Sequence, residues 1–180
     1  MTILHTFELA APVVATDHSL GPSDAAVTLV EYGDFECPHC KQAAPVAKLL
    51  LSHFIGRLRV VYRHFPLEEV HPHALSAAKA AECAGGQGKF WPMHDVLFEN
   101  QSALKFHHWS EYAQRLELDM PRFTSEMNDT AYLQRIREHK QSGEKSGVRS
   151  TPTFFINGKL HDVSFGISSL FDAVEKVLRQ

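Results

Sequence analysis

The chain has 180 residues, of which 44% are hydrophobic, and this is enough to bury the core of one domain without a disulfide framework. Its 18 basic and 21 acidic side chains give a formal net charge of -3. Because these charges are spread along the chain, we expect no continuous basic surface and no nucleic-acid partner.

The first 11 residues contain no lysine or arginine, and His5 and Glu8 interrupt their apolar stretch before it reaches the length of a signal sequence. The longest apolar runs elsewhere are far shorter than the roughly 20 residues that a membrane-spanning helix needs. We therefore expect a cytoplasmic protein without membrane insertion. The chain has only three cysteines, so at most one disulfide bridge forms at a time.

The first half of the chain predicts a βαβ unit after an N-terminal arm. Residues 1–26 form the arm, with a short edge strand near residues 6–9. Residues 27–32 are β-branched and aromatic, which is typical of a buried strand. From residue 38 to about 54, apolar side chains recur every three or four positions and indicate an amphipathic helix. Residues 58–65 predict a second strand, joined to the first by this helix.

The pattern then changes to helical periodicity. Residues 72–147 contain no strand-like run and predict an inserted subdomain of four helices, at residues 74–84, 90–100, 110–118 and 129–146. After the insertion, residues 153–156 and 159–161 flank Asn157 and Gly158 and predict a hairpin, because Asn-Gly suits the positive φ angles of a type I′ turn. Ser168 or Ser169 then caps a last helix that runs to Arg179.

Together these elements predict an α/β fold with a mixed central sheet of about four strands and helices on both faces. We assign residues 27–71 and 148–180 to the sheet domain, and residues 72–147 to the helical insertion.

A C-x-x-C pair, Cys37 and Cys40, stands where the first strand passes into the helix. At a helix N-terminus the unpaired backbone N–H groups and the macrodipole stabilise a thiolate, which favours Cys37 as the nucleophile. Pro38 is compatible with the first helical position. Cys40, one turn further in, is expected to be buried, un-ionised and the resolving thiol. His39, when protonated, stabilises the thiolate further and makes the couple more oxidising.

Glu31 lies in the predicted buried strand, six residues before Cys37. Strand alternation and the following turn bring its carboxyl group near Cys40. A buried carboxyl group there has a raised pKa and exchanges a proton with the resolving thiol. The alternative is a glutamate on the solvent face of an edge strand.

The same two cysteines are also compatible with half of a zinc site. Such sites usually need a second cysteine pair or nearby histidines, and here only His71 with His73, or His107 with His108, are available in the sequence. Cys83 stands alone in an alanine-rich segment, where we expect it to behave as a small buried hydrophobe.

Four features in order resemble DsbA-like thiol-disulfide oxidoreductases, the branch of the thioredoxin fold that carries a long helical insertion. They are VTLVEYGDFECPHC at residues 27–40, Pro45 eight residues after Cys37, AAECAGGQGKFWPMHDVLF at residues 80–98, and GVRSTPTFFINGK at residues 147–159. The resemblance covers roughly residues 24–180. It implies a thioredoxin fold and a protein disulfide oxidoreductase whose redox-active disulfide joins Cys37 and Cys40.

The same resemblance implies roles for three further residues. Glu31 is the buried acid, and Pro152 is a cis-proline. The loop of Thr151 and Pro152 faces the dithiol, pairs with an extended substrate segment and disfavours metal chelation by the two thiols. No cofactor beyond the dithiol is implied. The expected partners are protein dithiols and disulfides, with glutathione or a redox recycling partner as further candidates.

Two other functions stay open at this point. One is a glutathione-dependent transferase or isomerase of the same fold, although such enzymes usually carry a single serine or cysteine at the first active position. The other is a metal-binding module. The net direction of disulfide exchange is also open, because His39 favours an oxidising couple whereas a cytoplasmic location favours reduction.

Overall fold

The computed structural model describes residues 7–164 and 166–180. Three strands and one helix form the first third of this chain, helices alone follow, and a hairpin and a helix complete it. In chain order the elements are β1 His18–Leu20, β2 Val27–Gly33, α1 Pro38–His53, β3 Leu58–His64, α2 Ala74–Gly85, α3 Phe90–Glu99, α4 Phe106–Arg115, α5 Met120–Asn128, α6 Leu133–Lys145, β4 Thr153–Ile156, β5 Lys159–His161 and α7 Ser169–Leu178.

The strands form one mixed sheet in the order β1-β3-β2-β4-β5. β2 and β3 are parallel, as a βαβ unit requires, and the other pairs are antiparallel. The predicted α/β fold with a mixed sheet is confirmed, but the expected number of strands was too low. The additional strand is β1, which was not predicted because it has only three residues and little alternation. Its hydrogen bonds to β3 at the edge of the sheet hold it in the extended conformation.

The expected edge strand near residues 6–9 is represented by an isolated bridge between Glu8 and Lys159. Residue 6 lies outside the described residues. The predicted Asn157-Gly158 turn is present, with φ angles of 47° and 80°. Asn157 also accepts a hydrogen bond from the backbone N–H of Thr28, at 2.7 Å, which ties the hairpin to β2.

Between β3 and β4 the structure has five helices, α2 to α6, where four segments were predicted. The missing one is α5. Its N-cap residue, Asp119, accepts a hydrogen bond from the backbone N–H of Arg122, and Pro121 lies in its first turn. This capping signal was visible in the sequence but was not recognised. The predicted helix at residues 110–118 begins earlier, at Phe106, and the one predicted from residue 129 begins at Leu133.

Apolar packing divides into three clusters. One lies between the sheet, α1 and α7 and includes Leu29 and Leu50. A second lies on the other face of the sheet and includes Tyr32 and Phe155. The third joins the loop after β2 to the helices of the insertion, and both Cys37 and Cys40 belong to it. The insertion therefore packs directly against the dithiol. None of the helices described is both long and apolar enough to span a bilayer.

Candidate active site

The dithiol lies where β2 gives way to α1. Cys37 is the N-cap residue of α1 and Pro38 begins the helix, as the sequence predicted. Cys37 is 5% exposed and Cys40 is fully buried, whereas Pro38 and His39 are exposed. All three cysteines of the chain are free thiols in this structure. The surface around Cys37 is therefore formed by the two residues between the cysteines, while Cys40 lies behind them.

The two sulfur atoms have opposite acidities. A hydrogen bond from Cys40 is the main reason that the pKa of Cys37 falls from 9.0 to about 5; burial opposes this shift, and Thr151 and the backbone N–H groups of the first helical turn support it. Burial raises the pKa of Cys40 well above 9.0, and its role as donor to Cys37 and the charge of Glu31 add to the rise. At neutral pH, Cys37 is a thiolate and Cys40 a thiol.

Glu31 occupies the buried position that the sequence suggested. It is 2% exposed. Burial, followed by the charge of Cys37, raises its pKa from 4.5 to about 8. Tyr62 lies opposite Glu31 in the β2–β3 register. Neither its hydroxyl group nor the Oε1 atom of Glu31 has a hydrogen-bond partner among the described residues. Burying two polar groups without hydrogen-bond partners lowers the stability of the fold. Such groups beside a dithiol are typical of a functional site.

The loop before β4 closes the site from the other side. The Cys37 Sγ atom lies 3.2 Å from the carbonyl oxygen of Thr151, across 114 positions of the sequence, and donates a hydrogen bond to it only in the protonated thiol form. The Thr151-Pro152 peptide bond is cis. A groove of about 680 Å³ begins there and is lined by His39, Gln42, Thr151, Pro152 and His161 among others. The residues that the sequence selected are thus brought together, with the groove beside Cys37.

Sequence reasoning missed two residues that hold the dithiol loop. The backbone N–H of Asp34 donates a hydrogen bond to Cys40 Sγ at 3.4 Å. The Asp34 carboxylate accepts one from the Leu67 N–H at 2.9 Å and lies 2.8 Å from His71 Nδ1. The Gln101 side chain donates to the carbonyl oxygen of Cys37 at 2.8 Å. Asp34 also accepts from the N–H of Glu36, a local turn pattern that was recognisable in the sequence. No local pattern indicated Gln101.

These contacts bear on the histidine pairs considered for a zinc site with the dithiol. His71 is engaged by Asp34, and the backbone N–H of His73 donates to Glu36. His107 and His108 lie at the start of α4, with their ring centroids 3.8 Å apart.

Cys83 is fully buried in α2, and its pKa is raised to about 12, mainly by burial. It packs as the small hydrophobe that was expected.

A parallel βαβ unit, a dithiol at the first turn of its helix and a Thr-Pro loop facing the dithiol define a class of protein. They are the framework of the DsbA-like thiol-disulfide oxidoreductases of the thioredoxin fold. The chain belongs to the thioredoxin family, because the family model Thioredoxin_4 matches residues 14–176.

Solved structures agree with this assignment. A thioredoxin-like oxidoreductase from Silicibacter pomeroyi DSS-3 is 26% identical and superposes with a TM-score of 0.81, over 93% of this chain and 95% of that one. BdbD from Bacillus subtilis superposes with a TM-score of 0.85 over 97% of this chain and 98% of that one, and at 21% identity it supports the fold alone.

Curated relatives with higher identity are much longer proteins. A Na(+)/H(+) antiporter, NhaA 1, from Salinispora arenicola is 49% identical over 158 residues, which are 88% of this chain but 24% of the antiporter. A second, NhaA 1 from Mycobacterium sp. strain KMS, is 42% identical over 161 residues, again 88% of this chain and 26% of the relative. The chain therefore spans about a quarter of the length of the curated relatives it matches.

Proposed function

We propose that this protein exchanges disulfides with protein or small-thiol partners through Cys37 and Cys40. The observation that carries the proposal is the opposite acidity of the two thiols: the pKa of Cys37 is lowered to about 5, whereas that of Cys40 is raised well above 9.0. A thiolate is the nucleophile in disulfide exchange, and a thiol of low pKa is also the better leaving group. Cys37 is thus suited to both directions of the first exchange step.

The reaction balances as two exchanges. In the oxidising direction, a substrate thiolate attacks Cys37 Sγ, the Cys37–Cys40 bond breaks, and the Cys40 thiolate that leaves takes up a proton. A second substrate thiolate then attacks the substrate sulfur of the mixed disulfide, and Cys37 leaves as a thiolate. The substrate loses two electrons and the protein gains them. In the reducing direction, Cys37 attacks a substrate disulfide, and Cys40 then loses its proton and displaces the reduced substrate.

Glu31 is the proposed proton partner of Cys40 in both directions. Because its pKa is about 8, the carboxyl group is mostly protonated near neutral pH and supplies a proton when Cys40 leaves. When Cys40 attacks, the ionised form accepts the proton. Its burial beside the sulfur supports this role, since no side-chain partner among the described residues competes for Oε1.

Thr151 and Pro152 are the proposed substrate contacts. Thr151 touches Cys37 directly, and both residues line the groove of about 680 Å³. An extended peptide that places its cysteine against Cys37 would run along this loop and pair with its backbone. His39 borders the same groove and is exposed, so it is placed to contact the substrate, and its backbone N–H helps to lower the pKa of Cys37.

Trapping of mixed disulfides tests the proposal. In Cys40→Ser the resolving step is removed, so Cys37 should remain joined to its partners in covalent adducts that reductant releases. Cys37→Ser should form none and should lose activity. Cys83→Ser is the matched control, because it removes a buried thiol outside the site and should behave as the parent protein. If Cys40→Ser traps no partner while Cys37 remains reactive to alkylation, the proposed exchange is refuted.

The same trap separates protein substrates from glutathione. Mass measurement of the Cys40→Ser adducts shows whether Cys37 carries a protein or the tripeptide. A glutathione-dependent transferase would instead conjugate glutathione to an acceptor and keep full turnover without Cys40. We expect protein adducts and loss of multiple turnover.

A further inference from the structure

A second cluster of titratable side chains lies where the insertion meets the edge of the sheet. His18 comes from β1, His64 from β3, Glu82 from α2 and His139 from α6. His64 and Glu82 are each 1% exposed. Three separate elements thus bring His64, Glu82 and His139 together, and a fourth places His18 against Glu82.

The donor atoms of this cluster are close together. Glu82 Oε1 lies 2.8 Å from His64 Nε2 and 3.0 Å from His18 Nε2. The ligand atoms of His64, Glu82 and His139 all lie within 4.8 Å of one another. For comparison, ligands about 2.0–2.1 Å from a tetrahedral Zn²⁺ are separated by roughly 3.3 Å. Small side-chain shifts would therefore place the ligand atoms of His64, Glu82 and His139 around one ion, with His18 next to Glu82 as the fourth ligand.

The chemistry of the cluster also suits a metal. Nitrogen ligands bind through an unprotonated ring nitrogen, and here His64 is buried and His139 half-buried. A second carboxylate, Asp17, stands behind the site, with its Oδ1 atom 3.7 Å from His139 Nε2. Carboxylates that contact ligating imidazoles are a common second layer in zinc sites. The ring of His18 is fixed by stacking on Phe90, with centroids 3.6 Å apart.

Two arginines lie near these groups and decide the charge balance. Arg63 is engaged by Asp17, with hydrogen bonds of 2.9 and 3.1 Å. Arg135 approaches Glu82 Oε1 with its Nε atom at 3.2 Å, but this atom makes no hydrogen bond within the described part of the chain. The Arg135 side chain is 29% exposed and also reaches the carbonyl oxygen of Thr16. It is therefore a partly exposed counter-charge that can move outward.

We propose that His18, His64, Glu82 and His139 form a binding site for a divalent transition metal, with Zn²⁺ as the best match, which displaces Arg135 as the counter-charge of Glu82. Nitrogen and carboxylate ligands in a four-coordinate arrangement are the usual donor set for this ion. Because the ligands come from β1, β3, α2 and α6, bound metal would hold the insertion on the sheet. None of these four residues takes part in the proposed disulfide exchange.

The test uses the oxidised full chain, in which the Cys37–Cys40 disulfide cannot ligate a metal. Titration with ZnCl₂, followed by calorimetry and thermal unfolding, should show one bound equivalent and a higher midpoint temperature. CoCl₂ should give the visible absorption of a tetrahedral site without thiolate charge-transfer bands. His139→Gln should abolish both signals. His107→Gln, which alters an exposed histidine at the start of α4, is the matched control and should leave them unchanged.

Arg135→Met provides the sharper measurement, because it leaves all four ligands in place. Removing a cation at this distance should tighten Zn²⁺ binding by about tenfold or more. If the cluster were only a structural hydrogen-bond network, Arg135→Met would not tighten Zn²⁺ binding and the protein would not bind one equivalent of metal. The proposal is overturned if neither the oxidised parent protein nor Arg135→Met binds one equivalent, or if His139→Gln binds as tightly as the parent.

Discussion

Replacement of Cys40 by alanine tests the physical origin of the Cys37 thiolate. The hydrogen bond from Cys40 is the largest cause of the low pKa of Cys37. A hydrogen bond to a charged group contributes about 1.5–3 kcal/mol. Each pKa unit corresponds to about 1.4 kcal/mol, so Cys40→Ala should raise the pKa of Cys37 by about 1–2 units. At pH 6 the thiolate fraction would fall from about nine-tenths to between one-half and one-tenth.

The assay is the ultraviolet absorbance of the thiolate as a function of pH, in reduced proteins that also carry Cys83→Ser. The titration midpoint is a better measure than an alkylation rate, because the intrinsic nucleophilicity of a thiolate rises with its pKa and partly cancels the loss of ionised form. Cys40→Ser is the control, since its hydroxyl group still donates, and its midpoint should move less. An unchanged midpoint in Cys40→Ala, or an equal shift in both variants, would show that the hydrogen bond from Cys40 is not what stabilises the thiolate.

Two further predictions concern stability. Glu31 has a pKa of about 8 in the folded protein, against an ordinary value of 4.5. Between these two pH values the folded state keeps a proton that the unfolded state has lost. This carboxyl group therefore destabilises the fold as pH rises from about 5 to 8. In urea unfolding, Glu31→Gln should therefore be more stable than the reduced parent by about 3–5 kcal/mol at pH 8, but not at pH 4. Cys37 makes both proteins more stable as pH rises, so its effect cancels in the difference between them. A stability difference that does not change with pH would contradict the raised pKa of Glu31. Gly143→Ala should cost about 1–2 kcal/mol despite its better helix propensity, because the added Cβ would lie 2.7 Å from the Phe65 ring and 3.0 Å from the Tyr32 ring. Glu144→Ala, an exposed change in the same helix, is its control, and equal urea midpoints for the two variants would show that α6 can move away from the sheet.

The parts of the site that were predictable from sequence are those encoded within a few residues. A β-branched strand, a turn and an amphipathic helix follow one another between residues 27 and 53, so the placement of Cys37 and Cys40 required no knowledge of distant residues. The burial of Glu31 was predicted from the β-branched and aromatic residues of the same segment, which form a strand buried along almost its whole length. The Asn157-Gly158 turn was likewise a local preference for positive φ.

Errors arose where local signals were weak. β1 has three residues, too few for a periodic pattern, and its order comes from pairing with β3. α5 has a clear N-cap at Asp119, but its nine residues carry only two buried side chains and gave no sustained periodicity. In both cases the neighbouring elements provide the stabilisation that the segment itself lacks.

The sequence by itself determined the class of fold and the pair of sulfur atoms, because periodicity and helix capping act over neighbouring residues. Tertiary structure decided how those sulfur atoms differ. The contact of Cys37 with Thr151 spans 114 positions and that of Cys37 with Gln101 spans 64, and no local pattern encodes either distance. The joining of His18, His64, Glu82 and His139 belongs to the same category, because burial and proximity arise only when separate elements pack together.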